Sequence, residues 1–115
     1  MTVSQGVAVA SGARTASGAS AARAVSGLST VGQIGLAVNV TAVSGTTPSM
    51  SLAVEWSSDG TTFGPADVAD TFAAAFTAAS LRAKAFTAKA PFYRLVWTIT
   101  GTTPSFTFDV TEVQY

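Results

Sequence analysis

Apolar and polar residues alternate along several stretches of this chain, the pattern of β-strands that bury one face. The clearest stretches are residues 34–43, 50–57, 92–100 and 105–113, and all but 50–57 are rich in β-branched or aromatic side chains. Residues 92–100 carry the strongest pattern and are predicted to form a central strand. The alternation therefore predicts an all-β protein.

The pentapeptide Gly-Thr-Thr-Pro-Ser occurs twice, at residues 45–49 and 101–105. Proline lacks an amide hydrogen and glycine tolerates positive φ, so each copy is predicted to turn the chain between the two strands of a hairpin. The apolar residues that follow the two copies correspond pairwise: Met50 with Phe106, Leu52 with Phe108, and Val54 with Val110. The repeat predicts two related strand pairs.

The strands that precede the two copies do not match in the same way. When the two repeats are aligned, Leu36 corresponds to Phe92 and Val38 corresponds to Arg94, so an apolar residue in the first strand corresponds to a charged residue in the second. We therefore expect the second pair to bury a different face.

Between these strands the pattern is weaker. Asp59-Gly60 is a favoured two-residue hairpin turn, and Phe63 is predicted to start the return strand or a loop. In residues 67–80, phenylalanines four apart permit a short helix, but the flanking residues favour a strand. Residues 81–87 are predicted to form a short strand with Arg82 and Lys84 facing out.

Residues 1–31 are a low-complexity stretch of Ala, Ser, Gly and Val whose only charges are Arg14 and Arg23. Their small side chains cannot build a core alone, so we expect an extended arm or edge strands ordered by packing on the domain or on another subunit. Residues 32–115 are predicted to be one antiparallel β-sandwich or barrel of six to eight short strands.

Only 10% of the 115 residues are charged, against roughly 25% in a typical soluble domain, and six acidic residues balance six basic ones. Such a surface suits a protein packed against neighbours. Arg82, Lys84 and Lys89 form only a small cluster, which argues against nucleic-acid binding. No stretch resembles a membrane helix or a secretory signal.

The chain has no histidine and no cysteine, which removes the usual general base, thiol nucleophile and imidazole ligand. Asp67 and Asp70, with Asp59 nearby, leave a glycosidase-like carboxylate pair or a calcium site open, but their spacing favours turn and capping roles. We predict no enzyme activity, no catalytic, cofactor-binding or metal-binding residue, and no cofactor.

Aromatic side chains could stack on sugars or bases, and Trp56, Phe63 and Trp97 are the candidates. The two tryptophans continue apolar strand faces, which favours burial over binding. Four charged residues within strands are expected to form cross-strand ion pairs on an outer face or at a subunit contact: Glu55, Arg94, Asp109 and Glu112.

Three segments together resemble small virion proteins of tailed bacteriophages, especially those of actinobacteria. They are Val-Thr-Ala-Val-Ser-Gly-Thr-Thr-Pro-Ser at residues 40–49, Val-Glu-Trp-Ser-Ser-Asp-Gly-Thr-Thr-Phe at 54–63, and Tyr-Arg-Leu-Val-Trp-Thr-Ile-Thr-Gly-Thr-Thr-Pro-Ser-Phe-Thr-Phe at 93–108. The resemblance covers about the last three quarters of the chain. Its motifs specify strands and turns, so no functional residue carries over.

The resemblance implies a non-enzymatic virion structural protein, made in the bacterial host cytoplasm and located on the capsid surface. We expect a decoration protein, a homotrimer at local three-fold positions, that binds the major capsid protein and stabilises the head, without nucleic-acid or membrane partners. A tail or head-to-tail component that pairs through edge strands, or a carbohydrate-binding module on the virion surface, are the alternatives.

Overall fold

A computed structural model describes residues 4–25 and 32–114 of the chain, without the side chain of Ser4. These residues form antiparallel strands and one short 3₁₀ helix, Val68–Asp70. The strands are β1 (Ser4–Arg14), β2 (Gly18–Ala19), β3 (Arg23–Ala24), β4 (Gln33–Ser57), β5 (Ser80–Thr87) and β6 (Phe92–Gln114). The predicted all-β antiparallel fold is confirmed.

The strands form one hydrogen-bonded sheet in the order β1-β6-β4-β5, with β2 and β3 also paired to β6. Strands β1, β2 and β3 together pair with β6 along its length, since Ser4 lies opposite Gln114 and Ala24 lies opposite Phe92. On the other side, β5 pairs with the first part of β4, and bridges at Thr71 and Phe76 continue along its second part. Four neighbouring stretches of chain thus run the length of the sheet.

This sheet is folded in half so that its two parts face each other. Trp97 and Phe108 both belong to β6, and a straight strand would hold residues eleven apart about 36 Å from each other. Their ring centroids are only 5.5 Å apart, in an edge-to-face contact. Tyr93 and Glu112, near opposite ends of the same strand, are likewise hydrogen-bonded. The result is a β-sandwich whose central strands pass from one half-sheet to the other.

The two Gly-Thr-Thr-Pro-Ser segments lie at the fold line, opposite each other, so the predicted hairpin turns are wrong. Each segment lies inside a long strand, and Thr46 pairs with Thr102 across the fold. Gly45 and Gly101 adopt φ values of 110° and 125°, and Thr47 and Thr103 both adopt 47°. Positive φ changes the direction of both strands at the same place, and the sheet bends there with a register shift on each side of the Thr46–Thr102 pair.

The two segments also contact each other closely and reciprocally. A Cβ built on Gly45 would lie 2.7 Å from the Thr103 carbonyl oxygen, and one built on Gly101 would lie 2.9 Å from the Thr47 carbonyl oxygen. These distances leave no room for a side chain. The glycines are therefore required both by conformation and by the approach of the opposite backbone.

The core lies between the half-sheets and consists of alternating strand residues with Phe72 and Phe76 from the loop before β5. All six apolar residues after the repeats are buried, as the alignment predicts. Before the repeats, β4 buries Leu36 and Val38 whereas β6 buries Tyr93 and Leu95, so the expected change of face is confirmed. The cause is a register shift between Val40 and Ala42, which adds one residue to β4.

Several local predictions are wrong. The strands are not all short, because β4 and β6 contain 25 and 23 residues and each joins two predicted strands. Asp59-Gly60 does not close a hairpin, since the chain continues into a loop after Ser57. In residues 67–80, neither predicted alternative forms beyond the 3₁₀ helix and two isolated bridges.

Strand β5 forms where the sequence predicts it, but Arg82 and Lys84 do not face outward. They alternate with the exposed Leu81 and lie on the inner side, where they donate hydrogen bonds to carbonyl groups of residues 71–75. The outer positions of β5 are taken by small or apolar side chains instead. Strands β1, β2 and β3 lie at the edge of the sheet of their own chain, and residues 1–3 and 26–31 of the predicted N-terminal stretch lie outside the described residues.

Candidate interaction surfaces

The outer face of the half-sheet formed by β1, β5 and the adjoining parts of β4 and β6 is built from small residues. Residues directly opposite each other in antiparallel strands point to the same face. One row across four strands is Val7, Thr111, Ala37 and Ala83. The next is Gln5, Val113, Gly35 and Ala85, and the third is Asp109, Asn39 and Leu81. We call these three rows the small-residue face.

The small-residue face is nearly uncharged and almost flat. Asp109 is the one charged residue of its three rows, and a shallow depression of about 320 Å³ lies among Gly35, Ala37, Ala83 and Ala85. Two larger apolar side chains rise from it, Val7 at 57% exposure and Leu81 at 69%. A surface of mostly small, uncharged side chains can pack closely against another protein surface.

A buried polar cluster connects β1 and β3 with the C-terminal end of β6. Glu112, 3% exposed, accepts hydrogen bonds from Arg23 at 2.7 Å, from Gln114 at 2.8 Å, and from the Tyr93 hydroxyl. Gln114 also donates to the Ala24 carbonyl oxygen, and Arg23 donates to that of Val7. Arg23 and Tyr93 lie on one half-sheet and Glu112 on the other, so the cluster fastens the two halves together.

Burial, hydrogen bonds and neighbouring charges together shift the pKa values of three residues in this cluster. Burial by itself raises the pKa of Glu112, but hydrogen bonds from Arg23, Tyr93 and Gln114 outweigh burial and lower it below the usual value. Burial raises the pKa of the Tyr93 hydroxyl well above normal, and the adjacent Glu112 raises it further. The hydrogen bond to Glu112 raises the pKa of Arg23. Glu112 is therefore held as a carboxylate by neutral Tyr93 and charged Arg23.

Of the charged strand residues predicted to pair, Glu55 and Arg94 form a cross-strand ion pair at 2.7 Å. Glu112 pairs between half-sheets instead, with Arg23. The sequence singles out Arg23 only as one of two charges in a low-complexity stretch, and it gives no reason to connect that residue with Glu112. The one feature of the sequence that could have indicated a structural role for Arg23 is its position as a single charge among small residues, because a charged residue that becomes buried needs a partner.

The three carboxylates that the sequence left open as a catalytic or calcium site, Asp59, Asp67 and Asp70, each contact groups of their own loop or of Lys89. Asp70 is buried and forms an ion pair with Lys89 at 2.6 Å, whereas Asp67 is largely exposed and lies 3.9 Å from the same ammonium group. Asp59 caps its own turn: the amides of Thr62 and Thr61 hold the pKa of Asp59 far below its usual range. Each carboxylate thus has a local structural partner.

The three candidate aromatic residues do not form one exposed platform. Trp97 is 7% exposed and contacts Phe108 and Arg14. Trp56 is half-buried beside Tyr93, and the guanidinium carbon of Arg94 lies 4.4 Å from the centre of the Phe63 ring. One face of the Phe63 ring is thus covered by that guanidinium group.

Within residues 4–25 and 32–114, no group of three acidic side chains is arranged to hold a metal ion, and no helix is long and apolar enough to cross a membrane. A scan against models of known protein families and a search of curated proteins found no significant match to this chain. The case for its function rests on its residues and surfaces.

Proposed function

We propose that this chain is a non-enzymatic structural protein of a phage virion, a decoration protein that binds the outer surface of the major capsid protein lattice. The small-residue face is the observation that carries the proposal. It presents three rows of mostly small side chains with the single charge of Asp109, and it would pack against the shell.

Adhesion would be the mechanism. Burying Val7, Leu81 and the alanines of the small-residue face removes apolar surface from water, at roughly 25 cal/mol for each Å². Two charged residues lie at or beside the contact, Asp109 in the third row and Lys84 at the lining of the depression. One contact of this size is modest, but repetition over a closed shell, and linkage within a homotrimer, multiply the effect on head stability.

The low charge of the whole chain supports the same role. A protein with 10% charged residues and no net charge has little electrostatic repulsion between copies, which suits dense packing on a lattice. A carbohydrate-binding role has less support, because Trp97 is buried and one face of the Phe63 ring is covered by Arg94.

Location in the particle tests the proposal directly. We expect gold-labelled antibodies against the chain to mark the heads of phage particles whose genome encodes it, and cryo-electron microscopy to place it at local three-fold positions. Labelling confined to the neck or tail would support the connector alternative. Particles without label would refute a virion role.

The face itself is tested by adding purified variants to heads made by phage that lack the gene. We expect Ala37→Lys to abolish binding, because it places a charge at the centre of the small-residue face. The matched control is Thr98→Lys, on the exposed face of the other half-sheet opposite Ser51, which should bind normally. Both variants should keep the circular dichroism spectrum of the parent. Equal binding by both variants would exclude this face as the contact.

A further inference from the structure

Strand β5 (Ser80–Thr87) has one side without a neighbour among the described residues, since it pairs only with β4. Its register with β4 is continuous over eight residues, with no bulge. The Ala88 amide donates to Gly32 on the β4 side. Because amides alternate in direction along a strand, those of Leu81, Ala83, Ala85 and Thr87 point to the open side.

The opposite edge of the sheet is less suited to adding a strand. β1 has register shifts between Val7 and Val9 and between Val9 and Gly12. The Arg14 side chain folds back onto it and donates to the carbonyl groups of Ala10 and Gly12. Bulges and folded-back charges are the usual protection of an edge strand. The two edges are thus unequal, and β5 is the regular one.

Two cations lie along the inner side of β5 without a carboxylate. Arg82 donates to the carbonyl groups of Ala74 and Ala75, and Lys84 donates to that of Thr71 at 2.5 Å. Neither is in an ion pair, although four ion pairs occur elsewhere in the described residues. Both side chains are half-exposed and line a groove of about 650 Å³ between β5 and residues 72–74.

We propose that the open edge of β5 binds an extended acidic segment of another protein, which adds a strand to the sheet. Its backbone would pair with Leu81, Ala83 and Ala85, and acidic side chains at alternate positions would enter the groove beside Arg82 and Lys84. Strand addition supplies affinity through main-chain hydrogen bonds, and the side-chain pockets supply selectivity. The proposal does not depend on a virion role.

A second copy of this chain is a poor occupant of the same edge. Antiparallel pairing of β5 with itself would place Arg82 and Lys84 of one copy beside those of the other, directly or diagonally, on one face. β1 carries no acidic residue to offer in its place. The charges therefore favour an acidic partner and disfavour self-association.

The probe is a fluorescein-labelled, acetylated and amidated peptide, Thr-Glu-Thr-Glu-Val-Glu-Thr-Glu-Thr, titrated with the full chain. We expect saturable binding that weakens with added salt and amide chemical-shift changes centred on Leu81, Ala83 and Ala85. The same peptide with lysine in place of glutamate should bind at least about tenfold more weakly, since two half-exposed ion pairs become like-charge contacts.

Variants distinguish the contribution of main-chain pairing at the β5 edge from the contribution of the two positive charges. Ala83→Pro removes an outward amide while leaving the β4 side paired, and should abolish binding. Arg82→Gln and Lys84→Gln keep donors for the loop carbonyls and should each weaken binding severalfold. Arg14→Gln, which removes an unpaired cation from the other edge, is the control and should bind like the parent. Three outcomes would each overturn the proposal. They are equal binding of both peptides, amide chemical-shift changes centred away from β5, and a dimer in sedimentation with amide chemical-shift changes at β5.

Discussion

Replacing Gly45 or Gly101 by alanine should destabilise this protein by several kcal/mol, in all about 4 kcal/mol. Both glycines lie where the two central strands cross the fold line, with φ values of 110° and 125°. Each added Cβ would meet backbone atoms of the opposite strand, at 2.7 Å for Gly45 and 2.9 Å for Gly101. Backbone atoms of a paired strand cannot rotate away as a flexible side chain can.

The expected loss follows from two contributions. An L-residue held at such a φ costs about 1–3 kcal/mol. Relieving the contact requires the two strands to move apart, at a further cost of about 1–3 kcal/mol, as for an overpacked core. The sum, about 4 kcal/mol, is a large part of the roughly 5–15 kcal/mol that stabilises a typical domain.

Urea denaturation followed by tryptophan fluorescence measures this loss. For a urea dependence of about 2 kcal/mol per M, the midpoint should fall by about 2 M in each variant. The matched control is Gly64→Ala, because Gly64 has no positive φ and no atom within 4 Å of an added Cβ. That variant should stay within about 0.5 kcal/mol of the parent. If the free energies of unfolding of Gly45→Ala and Gly101→Ala also stay within about 1 kcal/mol of the parent, the close contact of the two strands at the fold line does not require glycine.

Three further predictions concern the charged residues. Arg23→Met should lower the free energy of unfolding by about 2 kcal/mol in urea titrations, because it leaves the buried Glu112 carboxylate without its cation; an unchanged midpoint would contradict the cluster's role. Since the folded-state pKa of Glu112 is lowered, its ionisation should add to the free energy of unfolding above the ordinary pKa of 4.5, and this addition should be lost as the pH falls through the lower folded-state pKa. Glu112→Gln should flatten that part of the plot of unfolding free energy against pH, and a curve parallel to that of the parent would refute the assignment. A double-mutant cycle of Glu55→Ala and Arg94→Ala should give a coupling of only about 0.5 kcal/mol, since the pair is partly exposed, and a value above about 2 kcal/mol would show that it is effectively buried.

The candidate surfaces differ in how far the sequence could reveal them. The cross-strand pairing expected of Glu55 and Arg94 is confirmed, but the small-residue face requires the register of four strands before its rows can be recognised. The open edge of β5 is likewise a property of the sheet order. Arg82 and Lys84 alternate with apolar residues, so the sequence places them together on a face and cannot say that this face is the inner one.

Local pattern determined most of the strands. Period-two alternation depends only on neighbouring residues, so it correctly predicted that residues 34–43, 50–57, 92–100 and 105–113 are extended and that the alternating apolar residues after the two repeats share one buried face. The same local information indicated a change of direction at both Gly-Thr-Thr-Pro-Ser segments, because glycine and proline restrict φ in known ways.

Only the tertiary structure decided how those strands are joined. A glycine-proline segment bends a chain equally well between two paired strands or within one long strand, and the choice depends on which distant segment lies opposite. Here each repeat lies opposite the other, so both strands bend together and the sheet folds onto itself. The contact of Arg23 with Glu112, 89 residues apart, follows from the same long-range pairing and could not be read from either neighbourhood.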